Sequence, residues 1–135
     1  MTAEIIYQGN LRTEAIHLNS KSTITTDAPL DNKGKGERFS PTDLVATALG
    51  QCALTIMAMA AETHNINMLG SKCSIEKVMG TSPRRIVAIH AQFEMNGQDS
   101  YSEKERKILE NAANTCPVFY SLHPDVEKNI TFIWK

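Results

Sequence analysis

The feature that most restricts what this chain can fold into is residues 44–61, which carry no charged side chain and are rich in Ala, Leu and Met. Helix-start chemistry precedes them: Ser40 can cap, Pro41 suits the first helical position, and the charge of Asp43 meets free backbone N–H groups. A helix that is apolar nearly all round belongs inside a fold. We therefore predict one long central helix that the rest of the chain buries.

This stretch is long enough that a membrane span has to be considered. Small and polar residues interrupt it, Ala outnumbers Leu and Ile, and no aromatic or basic anchors flank it. We therefore favour the buried helix of a soluble protein, with a subunit interface as a further option, and expect no membrane partner. The N-terminus shows no basic segment followed by a long apolar one, so we expect a cytoplasmic protein.

Length and charge narrow the class further. The 135 residues predict a single domain, 1–135, with a sizeable core. A net charge of −1 argues against nucleic acid as a partner, because phosphate binding needs a basic surplus or a basic face.

The remaining patterns predict an α+β fold with antiparallel sheets, in the order β-β-β-α-β-β-α-β. An N-terminal meander covers residues 3–7, 11–18 and 21–26, with turns at Gly9-Asn10 and Asn19-Ser20. After the central helix come two strands, residues 71–80 and 84–96, a helix launched by the capping box of Ser102 and Glu105, and a last strand with Ile130, Phe132 and Trp134.

A long loop, residues 27–39, leads directly into the central helix. Its Gly, Pro, Asn and Asp content blocks regular structure, and loops of this length in compact domains are often functional. It brings Glu37 and Arg38 close to the N-terminus of the helix.

The chain has three cysteines, Cys52, Cys73 and Cys116. Their odd number and wide spacing are unlike those of a disulfide scaffold. No pair has the spacing of a zinc site, and no histidine clusters with them, so we expect no metal and no cofactor. Each cysteine taken alone is better explained by packing, and Cys73, in a strand beside Ile75, keeps that interpretation.

Local chemistry separates the other two thiols. Cys116 directly precedes Pro117, where an N-cap lies, so its sulfur can face free N–H groups that favour thiolate. Cys52, inside an apolar helix, would be desolvated and less acidic unless a cation such as Arg12 or Arg38 reaches it. Local chemistry alone favours Cys116 as the nucleophile and leaves the assignment open.

Two motifs carry a resemblance to a known family. Ser40-Pro41-Thr-Asp-Leu44 followed by Ala-Leu-Gly-Gln-Cys52, and then Cys116-Pro117-Val118, resembles the OsmC/Ohr family, osmotically inducible protein C-like thiol peroxidases. The resemblance extends over nearly the whole chain. It implies an intertwined homodimer with sheets wrapped around two long central helices.

The resemblance also implies an activity, the reduction of organic hydroperoxides in oxidative-stress defence. In that family the cysteine matching Cys52 attacks the peroxide and becomes a sulfenic acid, and the one matching Cys116 condenses with it to a disulfide. A dithiol such as a lipoylated protein then reduces the disulfide. This sequence of oxidation states is chemically reversible.

The charged groups depart from the family pattern at one position. Members carry a Glu after the helix-starting Pro that pairs with an Arg from the N-terminal strands, whereas this chain has Thr42 there. Arg12 resembles the family arginine by position, and Glu37 or Asp43 is the expected carboxylate partner.

The leading interpretation is a cytoplasmic, dimeric, cofactor-free peroxidase with Cys52, Cys116 and Arg12 as catalytic residues. An apolar wall is expected to favour alkyl peroxides, and it comprises Leu44, Ala48, Met57, Met59 and Phe119. The alternative, which the Thr42 departure keeps open, is a non-enzymatic protein of the same fold that binds an apolar small molecule or senses redox state.

Overall fold

A computed structural model describes all residues of the chain, 1–135. It contains six strands, three α-helices and a short 3-10 turn, Leu30–Asn32. The strands are β1 (Ala3–Gly9), β2 (Arg12–His17), β3 (Thr23–Asp27), β4 (Lys72–Thr81), β5 (Arg84–Met95) and β6 (Glu127–Trp134). The helices are α1 (Pro41–Thr63), α2 (Glu103–Ala113) and α3 (Pro117–Ser121).

The chain forms two compact units, residues 1–45 and residues 46–135. The first holds a three-stranded antiparallel sheet in the order β1-β2-β3. The second holds a sheet in the order β4-β5-β6 together with α2, α3 and most of α1. The α+β class and the long helix are as predicted, while the single domain of residues 1–135 stays a prediction.

The second sheet is mixed, which corrects the prediction of purely antiparallel sheets. Strands β4 and β5 pair antiparallel, but β6 runs parallel to β5, with Ala91 opposite Ile130. A parallel neighbour needs a long crossover, and residues 96–126, with α2 and α3, supply it. The residue pattern of β6 alone does not indicate which strand it pairs with or in which direction.

Helix α1 begins as predicted. The backbone N–H of Asp43 donates to Ser40 Oγ at 3.0 Å, and the N–H of Ser40 donates to Asp43 Oδ2 at 3.0 Å. These reciprocal bonds satisfy donors that no helical carbonyl can reach.

One face of α1 is buried in the core of the second unit, with Leu49, Ala53 and Met57 fully inaccessible. The opposite face is not covered by this chain, and Met59 is 58% exposed. By length and composition α1 is apolar enough to cross a membrane, with a mean hydropathy of 1.8, but core helices of soluble proteins also meet that criterion.

Aromatic packing fixes the inner face of the second sheet. Phe93 and Phe132 stack at 5.2 Å between centroids, Phe132 and Trp134 stack at 5.5 Å, and the edge of Tyr101 meets Trp134 at 5.1 Å. Against this face α1 approaches closely at Gly50, where an added Cβ would lie 3.0 Å from Ile75 Cδ1.

The capping box of α2 is formed as predicted, with Ser102 Oγ accepting the N–H of Glu105 at 3.1 Å. We expect Ser102→Ala to lower the free energy of unfolding by about 1 kcal/mol, because one N–H loses its acceptor. Ser102→Asn, which keeps an acceptor, should stay close to wild type in urea unfolding. An equal loss in both variants would contradict the capping role.

Candidate functional site

Cys52 and Cys116 lie close together within the second unit. Cys52 lies halfway along α1 and is half-buried, and Cys116 is the N-cap of α3 and fully buried. Cys52 is close enough to Cys116 to act on the ionisation of its thiol, and all three cysteines are free. Of the predicted site residues, the fold therefore brings these two together.

Burial decides the protonation of Cys116. Its Sγ accepts the N–H of Phe119 at 3.4 Å, the helix-start contact that the sequence predicts. Burial nevertheless raises the pKa of Cys116, and the hydrogen bond and negative charge of Cys52 raise it further, against the lowering effect of the Phe119 and Val118 N–H groups. The local expectation that Cys116 favours thiolate is therefore wrong, because desolvation outweighs its N–H contacts.

The remaining thiol, Cys73, has a different environment. Its Sγ would lie 3.1 Å from a Cβ added at Gly50, so it packs between β4 and α1. Burial raises the pKa of Cys73 to about 11. An unreactive packing role for Cys73 fits both observations.

The carboxylate that pairs with Arg12 is Asp27. Arg12 Nε donates to Asp27 Oδ1 at 2.6 Å and Nη2 donates to Oδ2 at 2.9 Å, a two-point contact in which the Asp27 side chain is 2% exposed. The hydrogen bond and charge of Arg12 hold the pKa of Asp27 below its usual range against the effect of burial, and Asp27 in turn raises the pKa of Arg12.

The two carboxylates expected beside Arg12 have lesser or different contacts. Glu37 Oε2 accepts from Arg12 Nη2 at 3.5 Å and is 58% exposed, so it is a secondary partner. Asp43 instead forms the capping box with Ser40 at the start of α1. Thr42 Oγ1 lies 3.2 Å from Ser40 Oγ.

A sequence signal for Asp27 was present in the strand register. A hairpin turning at Asn19-Ser20 places Arg12 directly opposite Asp27 across β2 and β3, and this pairing is observed. The predicted strand ends at residue 26, whereas β3 continues to Asp27 and so includes the pair.

The expected apolar wall is divided. Met57 is fully buried in the core, while Met59, two residues further along the helix, is mostly exposed. Residues two apart point to nearly opposite sides of a helix, so these side chains cannot line one surface of a single chain.

The site residues thus fall into two groups. The guanidinium–carboxylate group belongs to residues 1–45, and the thiol pair belongs to residues 46–135. The structure holds no group of three or more His, Cys, Asp or Glu side chains that could bind a metal ion. Its chemistry-bearing groups are a sulfur pair and an oriented cation.

Comparison with solved structures shows the same fold in several bacterial proteins. A protein of Psychrobacter arcticus 273-4, named for an osmotic stress induced and detoxification response, is 45% identical, with a TM-score of 0.94 over 98% of this chain and 96% of its own. The organic hydroperoxide resistance protein OsmC of Legionella pneumophila is 13% identical, with a TM-score of 0.75 over 98% of this chain and 96% of its own. The organic hydroperoxide resistance protein OhrB of Bacillus subtilis is 17% identical, with a TM-score of 0.65 over 98% of each chain.

No curated protein matches the chain significantly. The sequence profile of the OsmC-like protein family matches residues 34–131, which include both interacting cysteines and the capped start of α1. Together with the Psychrobacter relative, this match shows that the chain belongs to the OsmC-like protein family.

Proposed function

We propose that the chain is a cysteine-based peroxidase that reduces organic hydroperoxides in oxidative-stress defence. The observation that carries the proposal is the proximity of the Cys52 and Cys116 thiols, one half-buried and one fully buried. Family membership supports it, and so does the detoxification response for which the Psychrobacter relative is named.

In the first step Cys52 is the peroxidatic residue, because it is the less buried of the two residues. Its thiolate attacks the terminal peroxide oxygen, the O–O bond breaks, and the alkoxide leaves and takes up a proton to give an alcohol. Cys52 becomes a sulfenic acid, the first and reversible stage of thiol oxidation.

In the second step Cys116 resolves the sulfenic acid. Its sulfur attacks the sulfur of Cys52, the hydroxyl leaves with the Cys116 proton as water, and a disulfide forms. A dithiol such as that of a lipoylated protein then returns both residues to thiols while it is oxidised to its own disulfide.

Arg12 is assigned the electrostatic role in this mechanism. A guanidinium can stabilise a thiolate and orient a peroxide, provided that it is held in one pose. The two-point contact with buried Asp27 supplies that restraint, and Glu37 adds a weaker one.

A homodimer is proposed from the apolar surface that one chain leaves uncovered. Ile5, Tyr7 and Ile24 of the first sheet are 71%, 64% and 51% exposed, and Met59 of α1 is also exposed. Apolar surface of this kind marks an interaction site. The enzyme is expected to act in the cytoplasm without a cofactor, and no nucleic acid or membrane partner is proposed.

The disulfide is the first test. We expect one equivalent of cumene hydroperoxide to remove two hydrogens from the protein and join Cys52 to Cys116, as measured by mass spectrometry of peptides. Cys73→Ser should behave as wild type, and Cys116→Ser should stop at the sulfenic acid. A protein that leaves both thiols unchanged would favour the non-enzymatic alternative.

The Arg12 contacts give a second test. Asp27→Asn should lower kcat/KM for the hydroperoxide by about tenfold, because the Arg12 guanidinium is then no longer held in one pose. Glu37→Gln is the matched control and should stay within about threefold, since an exposed contact at 3.5 Å contributes little. Equal effects of the two substitutions in steady-state kinetics would argue against Asp27 as the orienting group.

Thiol ionisation gives a third test. In Cys73→Ser/Cys52→Ala, where Cys116 is the only thiol, its pKa should lie above the ordinary value of about 8.5 because burial remains. With Cys52 present it should rise further, because a second negative charge is then opposed. Thiolate absorbance at 240 nm against pH measures both, and a Cys116 midpoint below 8 would overturn the assignment.

A further inference from the structure

Lys128 is a half-buried lysine whose ammonium group is bound by backbone carbonyl oxygens. It lies at the start of β6, opposite Ile89 of β5, and its side chain is half-buried. Its Nζ donates to the carbonyl oxygen of Val126 at 2.9 Å and to that of His123 at 3.5 Å. The N–H of Val126 also donates to the His123 carbonyl, at 2.9 Å, so the ammonium group fastens the turn between α3 and β6.

The same ammonium group lies over an aromatic ring of α3. Lys128 Nζ is 5.2 Å from the centroid of the Phe119 ring, within the range of an attractive cation–π contact. The backbone N–H of Phe119 is the donor to Cys116 Sγ. One residue therefore links the Lys128 cation to the buried sulfur.

Helix α3 depends on tertiary contacts, which include packing of Val118 and Phe119 against the core as well as the contact with Lys128. It has only five residues, Pro117–Ser121, and helices this short do not hold together in water without tertiary packing. Bonding two sulfurs requires a closer approach and a narrower geometry than a hydrogen bond does. Any looseness of α3 therefore reduces the fraction of time that Cys116 can bond to Cys52.

We propose that Lys128 is a positioning residue that holds α3, and with it Cys116, against Cys52, and so sets how readily the pair closes to a disulfide. A role of Lys128 in catalysis rests on the proposed peroxidase function. The closure itself does not, because any thiol oxidant can drive it. The exchange with glutathione is balanced: two protein thiols and one glutathione disulfide give one protein disulfide and two glutathione thiols.

The test measures that exchange equilibrium at 25 °C in a Cys73→Ser background. Lys128→Met removes the ammonium group but keeps the unbranched stem, and should lower the equilibrium constant about tenfold, equivalent to about 30 mV. Lys128→Arg keeps the cation and its donors and should restore it to within threefold. Lys107→Met, an exposed lysine of α2, is the matched control and should have no effect.

A second variant covers the case in which Lys128→Met does not fold. Phe119→Leu removes the ring but keeps the N–H donor to Cys116, and should lower the constant about threefold. A wild-type equilibrium constant in Lys128→Met would overturn the inference, and so would a wild-type constant in Phe119→Leu if Lys128→Met does not fold. A Lys128→Arg variant whose equilibrium constant stays as low as that of Lys128→Met would also overturn it. Cumene hydroperoxide in parallel separates the two proposals: a chain that closes with glutathione disulfide but not with peroxide fails the proposed function alone.

Discussion

Complete burial of the Cys116 sulfur is the constraint from which the properties of the thiol pair follow. An exposed cysteine at the same N-cap would face free N–H groups and favour thiolate. In this fold desolvation reverses that preference and holds the pKa of Cys116 above its ordinary value. Burial of one sulfur, with the other left partly accessible, is what gives two chemically similar residues different tasks in the proposed mechanism.

Much of this architecture could be predicted from local sequence. The caps at Ser40 and Ser102 are short-range signals, and the structure contains both of them. The parallel pairing of β6 could not be predicted, because the residues of a strand do not determine its neighbour in the sheet. The exposed side of α1 shows that this chain does not bury the helix alone, and an apolar pattern does not indicate which chain covers it.

The candidate site was predicted less completely than the fold. Motif and residue type identified Cys52, Cys116 and Arg12, but the partner of Arg12 depended on extending a strand register by one residue to Asp27. The raised pKa of Cys116 depends on complete burial of its side chain, which the neighbouring sequence does not reveal. In the sequence, Lys128 is only a charged residue on an otherwise apolar strand face. Its proposed role depends on contacts with the turn before β6 and with the Phe119 ring, which the sequence does not show.

The wide separation of the two cysteines along the chain has a thermodynamic consequence. A bond between their sulfurs would close a loop of about 65 residues, and chain-entropy arguments assign such a loop about 4 kcal/mol of stabilisation, through the freedom it removes from the unfolded ensemble. The oxidised protein would then outlast the reduced one against proteolysis. Each reduction of the disulfide would restore the two thiols and would also make the protein shorter-lived, because the stabilisation by the disulfide is then lost.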